Sequence, residues 1–414
     1  MNIVVITDAN FTKQTAVVNR LNAYSRGLGE LGNQVYMLAL DNDQNSLEQT
    51  IEAYPAINYI GFGKKTSTNG ISRYKNLFFS GKAAARWIKK KHTKEKISAL
   101  IYYGMLAPAR PSVSPICVKH GIPTYDEITE YPFLGRQKKL YRRLEYWFFM
   151  NHFVLKNSGI LCISTGLKRF MEEHLRAKKS AIPVKLFGIM VETDKFQCPN
   201  DPTAQNSDFF VGAPFLVYCG SMYGEKDGVP DLIRAFSMAA ETNDRVRLVI
   251  IGDNSNKQKM KHINQAMAEV KCGDRIIFTG RIDWSEMHSY MCGATALVLA
   301  KPANQQNEGA FPTKLGEYLA CGKPIICTAV GDITMFLKHE KNALLAKPGV
   351  PSDFAQQILR CVEDSRLREQ LSQGALLLAH ETFSHLHQAQ YLIDLFKLEP
   401  PRITQTALEA KGYT

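Results

Sequence analysis

Two acids, Glu308 and Glu317, flank a Pro-Thr-Lys step in the stretch EGAFPTKLGEYLACGKPIICT, residues 308–328. Pro312 suits the first turn of a helix, where its missing N–H costs nothing. Gly322 suits the helix end, and Pro324 prevents continuation. Free N–H groups around Thr313, Lys314 and Leu315, with the helix dipole and the Lys314 charge, would form an anion site. Glu317 lies about one turn further in, where a carboxylate can accept hydrogen bonds from a ribose diol. Glu308 enters beside Gly309, which admits close approach of a ligand. The bland alternative makes Glu317 an exposed helix acid paired with a lysine.

A second stretch, YCGSMYGEKDGVPDLIRAF at residues 218–236, has chemistry of the same kind. Gly220, Gly224 and Gly228 let backbone approach a ligand, and Lys226 can bring a compact charge to a phosphate. Taken alone this is equally a loop with a solvated lysine. Two acids, a helix-start lysine and a glycine-rich lysine loop together favour a phosphate-bearing ligand. The usual phosphate loops are absent. The first loop, TDANFTKQTA, lacks GxGxxG, and GxxxxGK[ST] occurs nowhere.

The elements that must position these groups follow from pattern. A chain of 414 residues exceeds one ordinary core, so two domains are expected. Short β-branched runs alternate with helical stretches, as in parallel α/β sheets. Strands are expected at 3–7, 35–38, 99–103, 123–128 and 160–164. After a polar interval, CPNDPTAQNSDFFVGAP, the rhythm restarts with strands at 215–219, 247–251, 276–279, 296–299 and 324–328. The expected architecture is two doubly wound, Rossmann-like domains facing one another across a cleft, with ligands beyond the carboxyl ends of the strands. The expected boundaries are 1–198, 199–384 and a C-terminal helix and tail at 385–414, packing back on the first domain.

Composition narrows the function classes. At 45% apolar and 22% charged the chain is an ordinary globular protein. No run reaches the roughly 18 apolar residues of a membrane span. The N-terminus reads as a core strand, not a signal peptide. Nine cysteines, scattered singly without a CxxC pair, suit a reducing cytosol and speak against a disulfide framework or a zinc site. The net charge of +12 calls for an anionic partner. Without a zinc-finger spacing, an RNP-like aromatic motif or a basic arm, nucleic acid is not the expected one.

Nearly end to end, the chain resembles the family 4 retaining glycosyltransferases of the GT-B fold that build bacterial surface polysaccharide. The resemblance is carried by NRLNAYSRGLGELG, TEYP, GSMYGEKDGVPDLIRAF, IIGDN, FTGRI, ALVLAKP and EGAFPTKLGEYLACGKPIICT, in that order. It implies a nucleoside diphosphate sugar as donor on the C-terminal domain and a glycan or lipid-linked acceptor on the N-terminal one. It implies no cofactor and no metal, with domain closure excluding water. The second of the family's paired acids falls on Glu317, the ribose ligand. The first falls on Glu308, facing the donor sugar, although eight residues intervene here, one more than the family pattern has. The family's diphosphate lysine matches Lys226, and Ser221 beside Gly220 stands where relatives carry arginine. Arg281 follows the segment that holds the base, and Gly309, Ala310 and Phe311 form the loop around the sugar.

On the acceptor side Thr129 stands where relatives place a histidine, with Glu130 beside it. Glu130 either contacts acceptor or donor sugar, or caps the following turn. Arg20, on the first helix, is placed near the cleft by the same resemblance. Asp41-Asn42-Asp43 mimics a metal-binding DxD, but its position after a strand reads as a turn.

Between Gly135 and Lys156 one helix is expected, with Leu140, Leu144, Trp147 and Leu155 buried. A second stripe, Lys138, Arg142, Tyr146, Phe149 and Phe153, is either core aromatics with solvated bases or an anionic-membrane contact. The latter would make the protein cytoplasmic and peripheral on the membrane. Two rival functions share the donor site, a sugar-nucleotide epimerase and a non-catalytic nucleotide-sugar-binding protein.

Overall fold

The computed structural model describes residues 1–11, 15–45, 47, 56–63, 70–133, 140–198, 212–222, 226–256, 258 and 260–398. The chain divides into two compact units: Met1–Gly188 with the C-terminal helix from His385, and Ile189–Ser384.

The first unit is built on seven parallel strands: β1 (Asn2–Thr7), β2 (Gln34–Ala39), β3 (Ile57–Gly61), β4 (Ala99–Tyr103), β5 (Thr124–Ile128), β6 (Gly159–Cys162) and β7 (Val184–Leu186). Their order is β3-β2-β1-β4-β5-β6-β7. Helices cover both faces, so β4, β5 and β6 are buried at every position and read as continuous runs instead of alternating ones. Helix Ala16–Glu30 starts where the Thr15 hydroxyl accepts the Val18 N–H at 3.3 Å. The last helix, His385–Leu398, packs on it. They meet so closely at Gly27 that a Cβ there would strike the His385 carbonyl and Ala389.

The second unit has six parallel strands: β8 (Phe215–Cys219), β9 (Arg247–Ile251), β10 (Ile276–Gly280), β11 (Ala296–Leu299), β12 (Ile325–Thr328) and β13 (Leu344–Ala346). The order β10-β9-β8-β11-β12-β13 repeats the first unit's winding. In each sheet the direction of winding reverses once, between β1 and β4 and between β8 and β11, the position where open sheets bind ligands.

The second unit begins at Ile189, ahead of the boundary expected at residue 199. Ile189 and Val191 lie against Gly316, and the short helix Thr193–Phe196 packs on helix Lys314–Ala320. Val191 also pairs with Ser384, so the segments entering and leaving this unit run side by side. Hydrophobic contacts, not the polar composition that follows, set the division. Most of the polar interval, residues 199–211, lies outside the described residues.

The expected long helix of residues 135–156 is replaced by a helix at Leu140–Phe148, a π-helical turn at Phe149–Phe153 and a 3-10 turn at Val154–Lys156. The expected buried stripe is corrected: Leu140, Leu144 and Trp147 are exposed, whereas Phe149, Met150 and Val154 are buried. Helix Leu140–Phe148 buries none of its residues on any face, and burial begins only with the π turn at Phe149, so no stripe of that helix lies on the core side. Lys138 and Lys139 lie outside the described residues. Among the described residues, no helix is long and apolar enough to cross a membrane.

Candidate active site

At the carboxyl end of β8 the chain turns through Gly220 (φ 154°), against which the end of the Lys314 side chain lies so close that a Cβ would displace it. Lys314 comes from the first turn of helix Lys314–Ala320. Its Nζ donates to the Tyr218 hydroxyl at 3.1 Å and stands 3.6 Å from an Asp227 carboxylate oxygen. Tyr218 in turn donates to the Ser221 carbonyl at 2.6 Å, fixing the turn. Lys301, just beyond β11, places its Nζ 3.5 Å from the same Asp227 oxygen. It also donates to the Lys226 carbonyl at 3.1 Å and to Asn307 Oδ1 at 3.2 Å. Asn307 Nδ2 donates to the Lys226 carbonyl at 3.0 Å, so two side chains hold the Lys226 backbone. Gly228 (φ 64°) allows this loop to press on β11's exit, because a Cβ there would strike the Ala300 carbonyl.

The electrostatics are one-sided. Asp227 is buried and faces two ammonium groups, Lys301 and Lys314, with Lys226 in the same loop. Burial pulls the Lys301 ammonium down to about 8, Asp227 opposes this, and Lys314 and Lys226 add to it. Two ammonium groups share the Asp227 carboxylate, so the excess positive charge is local to Lys301 and Lys314, with the Glu317 carboxylate further along the same helix, and it suits an anion bound at that point.

The sequence-expected donor residues fall into three groups. Gly220, Ser221, Lys226, Thr313 and Lys314 gather at this point. Glu317 lies half-buried on the same helix, and Glu308 is exposed at the end of helix Gln305–Glu308, followed by Gly309 and Ala310. Arg281 is exposed directly after β10, at the next strand end but one. Phe311 and Leu315 serve the core through their side chains: Phe311 packs on Phe336 and Phe383, with ring centroids 5.4 and 5.8 Å away, and Leu315 is fully buried. The Leu315 N–H is also taken by the Pro312 carbonyl at 2.9 Å, so it is not one of the expected free donors. Helix Lys314–Ala320 has only seven residues. The lysines, more than a helix dipole, supply the positive charge here. Sequence reasoning missed Asp227, Lys301, Asn307 and Tyr218. The available signal was a lysine directly after the buried strand in ALVLAKP, a place where a charge needs a partner.

In the first unit, Thr129 and Glu130 follow β5, and the Tyr103 hydroxyl at the end of β4 meets the Thr129 side chain. Burial, with Glu127 next, pushes the Tyr103 phenol well up, which keeps it a neutral hydrogen-bonding group. Arg20 corrects its expectation. It is buried, its Nε 2.5 Å from Glu127 and its Nη2 3.3 Å from the Phe187 carbonyl, with the guanidinium 4.9 Å over the Phe187 ring. The resemblance named Arg20 as an acceptor-side group, but a buried carboxylate holds it in the core. Asp41-Asn42-Asp43 is a turn: Asn42 accepts the Phe11 N–H and offers its carbonyl to Gly63.

One cysteine pair overturns the expectation from composition. Cys198 and Cys292, 94 residues apart, form a disulfide with Cα atoms 5.4 Å apart. Spacing in sequence could not show it, because the pairing depends on where helix Trp284–Gly293 meets the segment entering the unit.

Two doubly wound parallel units in one chain are the architecture of the GT-B glycosyltransferases, and similarity to solved structures agrees with that fold. Sucrose-phosphate synthase from Thermosynechococcus elongatus superposes with a TM-score of 0.72 at 18% identity, over 96% of this chain and 98% of that one. Anabaena HepE in complex with UDP-glucose gives 0.68 at 15% identity, over 96% and 100%. Residues 213–364 match the family described as Glycosyl transferases group 1, so the second unit carries a glycosyltransferase group 1 domain. An uncharacterized glycosyltransferase of Methanocaldococcus jannaschii is 22% identical over 233 residues, 55% of each chain. The chain spans about half the length of such curated relatives.

Proposed function

We propose that this protein is a retaining glycosyltransferase that moves a hexose from a nucleoside diphosphate sugar to a glycan or lipid-linked oligosaccharide, in polysaccharide, O-antigen or capsule assembly. The observation that carries the donor side is the pair of ammonium groups, Lys301 and Lys314, on the buried Asp227 carboxylate, with Lys301 also holding the Lys226 carbonyl. Bond cleavage at the sugar's anomeric carbon loads negative charge onto the departing diphosphate. Preorganised cations aimed at that charge lower the barrier more than they tighten the ground state. Lys226 and Lys314 take that role, while Lys301 and Asn307 fix the Lys226 backbone. Glu317 receives the ribose diol, Arg281 lies toward the base, and Glu308 faces the sugar. The acceptor hydroxyl attacks from the face the diphosphate leaves, and its proton passes to the departing phosphate oxygen. Positive charge comes from the lysines, and no catalytic metal is part of this scheme.

Thr129 and Glu130, with Tyr103 beside them, are the acceptor-side groups. The exposed face of Leu140, Tyr141, Leu144, Trp147 and Phe148, with Arg142 and Arg143 on the same helix, supports contact with an anionic membrane surface carrying the acceptor. On this reading the protein works in the cytoplasm, peripheral on the membrane. HepE was captured with UDP-glucose, so uridine donors are tested first.

The experiment is a panel of sugar nucleotides with lipid-linked acceptors, scored by nucleotide release and product anomer. Acceptor-dependent release with the donor's configuration kept supports the proposal. Sugar conversion without acceptor would establish an epimerase instead, and binding without turnover a non-catalytic protein.

A further inference from the structure

Apart from the lysine cluster, three side chains with soft-metal chemistry converge where the segment entering the second unit meets helix Trp284–Gly293. His288 and Cys292 are one turn apart on that helix and share a face. Cys198 approaches from the other side, just beyond helix Thr193–Phe196. One ligand atom from each of the three lies within 4.8 Å of the others. His288 Nε2 is 3.4 Å from Cys292 Sγ and donates to the Phe196 carbonyl at 3.1 Å, so ligation through Nε2 moves its proton to Nδ1 and gives up that hydrogen bond. Trp284 stacks on the imidazole at 4.9 Å and 10°, so the ring is oriented in advance.

All three residues are half-buried, open enough for a solvated ion to enter. The other seven cysteines are buried. Burial pushes thiols such as Cys117, Cys327 and Cys361 up to about 12, which keeps them protonated and poor ligands. Cys198 and Cys292 are therefore the two thiols placed to ligate. Their disulfide is the oxidised state of the same cluster.

We propose that, when reduced, Cys198, His288 and Cys292 bind a soft divalent cation of the zinc class, and that oxidation to the disulfide releases it. Binding removes one proton from each thiol and forms two metal–sulfur bonds and one metal–nitrogen bond, with water at the fourth position. Metal–sulfur bonds of about 2.3 Å require the sulfurs to separate to roughly 3.8 Å. Cys198 lies in irregular backbone, where a side-chain rotation supplies that movement. In the reverse sense the two thiolates pass two electrons to a low-molecular-weight disulfide, whose S–S bond breaks and which takes two protons from solvent to become two thiols, while the protein S–S bond forms and the ion leaves. Either state pins helix Thr193–Phe196, which packs on helix Lys314–Ala320, so both brace the lysine-bearing turn. The inference stands on the cluster alone and is independent of the sugar-transfer proposal.

The full chain, reduced with a phosphine and then freed of it, is titrated with Co2+ as the probe. One equivalent should give thiolate-to-cobalt charge-transfer absorption and the visible bands of a tetrahedral site, both discharged by Zn2+. The oxidised chain and Cys292→Ser should give neither, and His288→Ala should bind at least about tenfold more weakly. In the unmodified reduced chain, Zn2+ should protect Cys198 and Cys292 from alkylation, a readout that needs no variant. Absence of micromolar uptake, unchanged bands in Cys292→Ser, or unprotected Cys198 and Cys292 would each overturn the proposal.

Discussion

Asp227 and Lys301 form a buried ion pair, carboxylate oxygen to Nζ 3.5 Å, and the same oxygen stands 3.6 Å from Lys314 Nζ. The pair ties the loop after β8 to the residue after β11, the two strands that flank the reversal of winding in the second sheet. Removing the carboxylate strands two ammonium groups without a counter-charge. Asp227→Asn should therefore destabilise the second unit by about 3–5 kcal/mol. Denaturant unfolding checks this, and a double Asp227→Leu, Lys301→Met chain should recover part of the loss.

Lys301 also sets a pH dependence. Its folded pKa is lowered to about 8 from 10.5, by burial first. Between those values the folded chain holds fewer protons at Lys301 than the unfolded one, so this group's contribution to stability rises with pH through that window. Ligand binding has the opposite sign. Charged Lys301, facing Asp227, Lys314 and Lys226, keeps the Lys226 loop in place and adds positive charge. Affinity for UDP should fall as pH rises through about 8 in wild type. Calorimetry across that range should show no such limb in Lys301→Met.

Glu308 separates sugar from nucleotide. If it faces the donor sugar, Glu308→Gln should depress turnover by about tenfold or more while UDP affinity changes little, because UDP lacks the sugar. Equal losses in both measurements would place Glu308 elsewhere.

Trp147 is 50% exposed and Leu144 51% exposed, on a helix carrying Arg142 and Arg143. Wild type should sediment with anionic but not neutral vesicles and release in high salt. Changing Lys138, Lys139, Arg142 and Arg143 to Gln should abolish this, and Leu144→Ser with Trp147→Ser should weaken it. Variants that sediment like wild type would remove this helix as the docking surface.

Much of the fold was legible because parallel strands buried on both faces leave unbroken apolar runs. Ala99–Tyr103, Phe215–Cys219 and Ala296–Leu299 match their expected spans. Strands β3, β7 and β13 escaped notice, since short outer strands with half-exposed positions give a weak signal. At the site, glycines and lysines of the loops were visible as chemistry, and Gly220, Lys226 and Lys314 do gather. Their support was not visible. Lys301, directly after a buried strand, signals that a partner is needed, but only the fold shows that the partner is Asp227, in the loop after β8. Arg20 failed for the converse reason: its partner Glu127 lies 107 residues away. That helix Leu140–Phe148 buries no residue likewise leaves no mark in hydrophobic spacing, because its apolar residues recur at the same period as a buried stripe.

The most direct measurement is calorimetric binding of UDP to wild type and to Lys226→Ala, Lys314→Met and Glu317→Ala chains that fold as wild type does. Wild type should bind, and each variant should lose a charge-assisted contact of about 1.5–3 kcal/mol, roughly tenfold to hundredfold in affinity. Unchanged affinity in all three folded variants would contradict a nucleoside diphosphate site at the β8 and β11 strand ends.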